Sequence, residues 1–325
     1  MPKIAPAITD LSFTIPAAGG TNTASDFYID TNRALSKINR RLYDQGRMVA
    51  YQGLTFVWRS NGTAATSLNT LQCTVRTAGN TWLVHNAWVK GKALWDQMQQ
   101  LVLEDNPSIA GKWHDFKVTL SGNQVGNQEL NVLDGAGVPV MPGEWNMASY
   151  VMPQHDVDPA TGLPLAADEY TACLIGNDTS SRKSLVKAYQ ESRATPNSPS
   201  PNIPAGMETS FFNLLTDSGS QEPELALVIQ EENDEAPYDL DNYPGGDTNA
   251  PRAFPVATAA TSAAEVDGRV GPFVAPCGLI RIDIQGYDSN GDLVLPENMP
   301  EVGILLHVAP GTYKGIASIP MGHRS

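Results

Sequence analysis

The sequence predicts an all-β chain with a few added helices, folded as two β-sandwiches in tandem. Three observations carry this. Of 325 residues, 28 are Gly and 24 are Pro, and only 17% are charged, a turn-rich composition that suits sheets and not a helical bundle. Short runs alternate apolar and polar residues, with turn signals between them. Residues 193–206 hold Pro196, Pro199, Pro201 and Pro204 among Ser and Asn, which rules out helix and interior strand and marks a connector. The expected division is a first sandwich over 1–192, the connector over 193–206, and a second sandwich over 207–325.

Leu11, Phe13 and Ile15 alternate with polar neighbours and form the first strand. Asp30 can cap a helix over about 31–45 that stops at Gly46. Arg33, Lys37 and Arg40 line one stripe of that helix, with Arg41 and Arg47 close by. Strands are expected at 54–59, 71–76 and 81–85, with Asn61-Gly62 and Gly79-Asn80 as turns. A second helix over about 87–103 presents Leu94, Met98 and Leu101 on one face, with Gly91 weakening its first turn. Further strands are expected at 116–121, 129–133, 145–151 and 170–175, followed by a short helix over 181–192.

After the connector, strands are expected at 210–215, 224–230, 254–257 and 270–274. Ile280, Ile282 and Ile284 give the cleanest period-two signal in the chain. Strands over 302–309 and 312–319, hinged at Pro310-Gly311, finish the fold. Roughly eight strands fit each block.

The chain carries 21 Lys and Arg against 35 Asp and Glu, a formal charge of −14. That argues against a nucleic-acid binder relying on overall positive charge and leaves room for a local basic patch. The helix with Arg33, Lys37, Arg40 and Arg41, and nearby Arg47, is that patch. It reads either as a solvated helix face or as a face turned towards something anionic. Cys73, Cys173 and Cys277 are far apart and lie in apolar runs, so buried free thiols are expected rather than a zinc site or disulfides. The start Met1-Pro2-Lys3-Ile4 lacks the apolar core of a signal peptide, and no stretch approaches the ~20 apolar residues of a membrane span. Synthesis in a cytoplasm is the expectation.

No nucleophile elbow, P-loop or dinucleotide fingerprint is present, so no enzyme activity and no cofactor are expected. The weak metal candidates are Asp239 and Asp241, in the acidic run 231–251, and Asp288 and Asp292, in Asp288-Ser289-Asn290-Gly291-Asp292. In the latter the Gly falls too early for a calcium loop, and Asn-Gly favours a hairpin turn. His155 has Asp156 and Asp158 near it, and His307 reads as a core or interface histidine.

Two strand sets, the segment 193–206 and the flanking helices at 87–103 and 181–192 together resemble the double jelly-roll major capsid proteins of tailless, membrane-containing icosahedral bacteriophages. The resemblance spans 11–319 and is architectural. It implies a homotrimer with a pseudo-hexagonal outline that tiles a virion shell beside penton or spike proteins. The basic helix would face an internal lipid membrane or a neighbour, and direct genome binding is not implied. The alternatives are another phage structural protein, such as a spike, tail or decoration protein, or a carbohydrate-binding sandwich with Tyr238 and Tyr243 as a sugar platform.

Overall fold

The computed structural model describes residues 6–17, 25–58, 68–109, 115–122, 124, 128–141, 143–152, 168–192, 210, 212, 252–265 and 267–322. In chain order the elements begin with β1 (Asp10–Ile15), β2 (Asp26–Asp30), α1 (Thr31–Asn39), β3 (Arg47–Trp58) and β4 (Thr70–Thr77). Next come α2 (Trp82–Asp105), β5 (Thr119–Ser121), β6 (Ser149–Met152), β7 (Asp168–Ile175), β8 (Arg182–Ser184) and α3 (Leu185–Glu191). The chain ends with β9 (Phe254–Ser262), β10 (Asp267–Val270), β11 (Phe273–Ala275), β12 (Leu279–Tyr287), β13 (Leu293–Val294), β14 (Val302–Val308), β15 (Pro310–Tyr313) and β16 (Ser318–Pro320). The molecule is mostly β, as its composition requires.

Met1–Asn80, Gln124–Trp145 and Ala253–His323 form one compact unit. It contains two antiparallel sheets. One runs β1-β14-β3-β10, with β11 and β16 also on β3; the other runs β13-β12-β4-β9, with β2 also on β12. The alternation read from sequence places Leu11, Phe13, Phe56, Trp58, Leu71, Val75, Ile280 and Ile282 in one buried core shared by both sheets. Trp58 Nε1 donates to Thr261 Oγ1 at 2.9 Å, so the largest core side chain also links the sheets. Gly268 permits this closeness: a Cβ there would lie 2.4 Å from Phe56 Cζ and from Thr261 Cγ2.

This unit corrects the expected division at 193–206. β14, from the last part of the chain, lies between β1 and β3, while β12 and β9 flank β4. Strands from both sides of the connector therefore interleave within single sheets. A proline-rich run shows where regular structure stops; it carries no information on which strands pair. Thr77 and Phe254 are direct partners in the β4–β9 ladder, so residues 78–253 stand as one long connection between two neighbouring strands.

Part of that connection returns to the sandwich as a strap. Leu130 N donates to Tyr28 O at 2.9 Å and Leu133 N to Ser12 O at 2.8 Å, while Val132 enters the core. The strand expected at 129–133 is this strap, with two isolated bridges in place of a ladder.

Thr81–Asn123 and Asn146–Arg252 form the second unit, together with Arg324–Ser325. Its described residues build no second sandwich. α2 and α3 pack with a four-stranded sheet in which β7 pairs β5 and β8 in parallel and β6 antiparallel. Residues 81–85, expected as a strand, are the cap and first turn of α2: the Thr81 side chain accepts from Val84 N. The helix expected over 181–192 is split between β8 and α3, with Ser184 as the cap. Phe116 centres an aromatic cluster with Trp88, Trp95 and Tyr150, at centroid distances of 5.9, 5.7 and 6.2 Å. Gly91 is small because Leu185 and Tyr150 crowd it; a Cβ there would sit 2.8 Å from Leu185 Cδ2. Of the strands expected at 210–215 and 224–230, only the buried Ser210 and Phe212 fall within the described residues.

Candidate functional site

The basic residues singled out by sequence divide into two groups. α1 starts where expected: Asp30 Oδ1 accepts from Arg33 N at 3.0 Å. It ends earlier than expected, at Asn39, because Arg40 adopts the left-handed conformation (φ 50°, ψ 41°). Arg33 and Lys37 therefore lie on the helix while Arg40 and Arg41 follow it, and Arg47 opens β3.

Arg33 and Lys37 hold the strap. Arg33 Nη1 meets Glu129 Oε2 at 2.7 Å, and Lys37 Nζ donates to Asn131 Oδ1 at 3.0 Å. Burial and the Arg33 charge pull the Lys37 ammonium down to about 8, against the opposing pull of Glu129 and Asp30. Both cations therefore have partners within the chain, although the Lys37–Asn131 bond lies at the surface.

Beneath them sits Asp30, buried at 6% exposure. Besides capping α1, its Oδ2 accepts from Gln45 Nε2 at 3.0 Å and Trp145 Nε1 at 2.8 Å. Burial pushes its carboxyl up to about 6, and the Glu129 charge adds to this, while the three donors oppose it. One carboxylate thus ties helix, following loop and strap together.

Arg40 and Arg41 open the loop that follows α1, Arg47 closes it, and Lys314 docks onto it at Leu42 O. The β15–β16 hairpin clasps this corner. Arg47 donates to Ser318 Oγ at 2.9 Å and Ser318 O at 3.1 Å, and its guanidinium lies 3.7 Å from the Tyr313 ring centroid. Tyr313 Oη donates to Asp44 Oδ2 at 2.7 Å, and Tyr43 Oη donates to Lys314 O at 2.9 Å. Lys314 stands 3.9 Å from Asp44 and donates to Leu42 O. Arg40, Leu42 and Lys314 remain exposed. Lys314 thus meets Asp44 while Arg47 stacks on Tyr313, and the exposed Arg40 and Leu42 lie in the same loop as Asp44, an arrangement that suits an anionic contact surface. Sequence reading missed Lys314, Tyr313 and Asp44. The available signal was Lys314-Gly315, whose positive φ values (49° and 99°) turn the hairpin.

The metal candidates fare differently. Asp239 and Asp241 lie outside the described residues, as do His155, Asp156 and Asp158. Asp288 Oδ1 accepts from Asn290 N at 2.8 Å and Asp292 N at 2.9 Å, closing the β12–β13 turn. Among the described residues no group of three or more His, Cys, Asp or Glu could hold a metal ion. His307 bridges Asp10 Oδ1 (2.8 Å) and Thr55 Oγ1 (3.1 Å) across β1, β14 and β3. Cys73, Cys173 and Cys277 are free and buried, and burial pushes the Cys73 and Cys173 thiols up to about 12. No helix among the described residues is long and apolar enough to cross a membrane.

No protein-family model, curated protein or solved structure matches this chain.

Proposed function

We propose that this chain is a structural subunit of a virus shell, built on a jelly roll. The observation that carries the reading is strand order. Taking β1, β2, β3, β4, β9, β10, β12 and β14 as strands one to eight, one sheet runs 1-8-3-6 and the other 2-7-4-5. That interleaving of two Greek keys characterises the jelly rolls of viral capsid and lectin domains. The reading keeps one roll per chain where the sequence suggested two. Three copies with a pseudo-hexagonal outline followed from a duplicated roll; with a single roll, the number of copies per ring is for experiment to count.

The surface suits such a role. Leu101, Met141, Leu293 and Leu295 are large apolar side chains more than half exposed, on a protein with few charges. In a shell the subunit's partners are its own copies first, then penton or spike proteins. The corner of Arg40, Arg41 and Lys314 would face an anionic neighbour such as lipid headgroups. Residence in the virion, after synthesis in a host cytoplasm, belongs to the same proposal.

Light scattering with negative-stain microscopy on purified protein tests it. Closed shells or ring-shaped multimers are expected. A monomer that stays monomeric as concentration rises contradicts the proposal and brings the glycan-binding sandwich forward.

A further inference from the structure

A sheet edge exposes backbone donors and acceptors that invite another strand, and folded proteins normally blunt such edges. Among the described residues the sandwich has four outer edges, and three are blunted. The strap covers β1 through Leu133 N to Ser12 O, and β2 through Leu130 N to Tyr28 O. β10 and β11 form a short edge broken at Gly271-Pro272 and charged at Asp267 and Arg269.

β9 is the exception. It is nine residues long and pairs with β4 on one side. Among the described residues, the only backbone bond to it from outside β4 comes from Glu265 N to Ser262 O, at its very end. Residues 254–262 contain no charged side chain. Pro255 is the one edge-blocking residue, and it lies near the start. At ~3.4 Å per residue this edge, unpaired among the described residues, is about 30 Å long.

We infer that β9 is a pairing edge, and that the strand it accepts is β9 of a second copy of this chain, running antiparallel across a two-fold axis. Self-complementarity picks out this occupant. Antiparallel pairing of 254–262 with itself sets no charge against a like charge. The exposed Thr258 and Ala260 are small enough to continue the sheet without a step, and Phe254, 44% exposed, would cover the far end of the partner's strand. The five-stranded sheet would become one continuous sheet across both copies. The inference stands on this edge alone: a dimer satisfies it whether or not shells form.

Single cysteines at Val256, Ala257, Thr258, Ala259 and Ala260 of the full chain test it under mild oxidation. The native cysteines are buried and do not compete. Expected is a disulfide-linked homodimer whose yield peaks at one or two adjacent positions and falls several-fold on either side. Adding Ala260→Lys, with folding checked by thermal melting, should remove most of that yield. Equal yields along β9 and at a control Thr312→Cys would overturn the inference, since random collision would then explain them. So would β9 cysteines shielded from alkylation without any homodimer, which would give the edge to a different strand. Shells without the β9 crosslink would sink this inference alone; the crosslink without shells would sink only the shell proposal.

Discussion

The two compact units bury their cores in contrasting ways. The sandwich joins residues from opposite ends of the chain: Asp10 and His307 pair although 297 positions apart. The second unit gathers Trp88, Trp95, Phe116 and Tyr150 around one short sheet, and its long-range ties, such as Lys90 to Ser192, span 102 positions. The first core is layered from alternating strands; the second is wedged from helix faces and aromatic rings. The contrast shows that this chain's periodicity identifies its elements, while the partners of each strand depend on closure over long distances.

The largest test breaks each core separately. Trp58→Ala and Phe116→Ala each remove an almost fully buried aromatic side chain and should cost about 3–5 kcal/mol. Hydrogen exchange would locate the damage. Trp58→Ala should raise exchange in β1, β3, β9 and β14, and Phe116→Ala in α2 and β7. The same pattern from both variants would erase the distinction between the cores.

A smaller effect separates the units by pH. The Asp30 carboxyl is raised from 3.8 to about 6, so the folded sandwich binds this proton more tightly than the unfolded chain does. The stability it contributes is complete below pH 3.8 and is lost as pH rises through about 6. Measured by urea unfolding, wild-type stability should fall relative to Asp30→Asn by on the order of 3 kcal/mol between about pH 4 and pH 7. A flat difference would contradict the burial of this carboxylate.

The smallest effect concerns the strap. Arg33 and Glu129 are each about one-fifth exposed, so Arg33→Gln should cost about 1 kcal/mol or less. Faster exchange should appear at Leu130 and Leu133, with α2 unchanged. Exchange that stays slow there would remove Arg33 from the strap's attachment.

Much of this was legible in the sequence. Alternation located β1, β4, β12 and β14, and Asp30 announced the start of α1. β2 escaped because four of its five residues are buried, leaving no polar face to alternate with. Residues 81–85 misled because Trp82, Leu83 and Val84 favour strands by composition, and the Thr81 cap with packing against the second unit's core overrode that preference. The basic residues were found, but not their division: nothing local shows that Glu129 and Asn131 would return to hold Arg33 and Lys37. Lys314 reaches the loop that follows α1 only through the hairpin that folds back onto β3.

One cut tests the interleaved sandwich most directly. A protease site placed within 193–206 of the full chain would separate β1–β8 from β9–β16 covalently. Because both pieces supply strands to the same two sheets, the nicked protein should run as one particle in size-exclusion chromatography and come apart only in denaturant. Two folded fragments eluting separately under native conditions would contradict the shared sheets and restore the tandem arrangement.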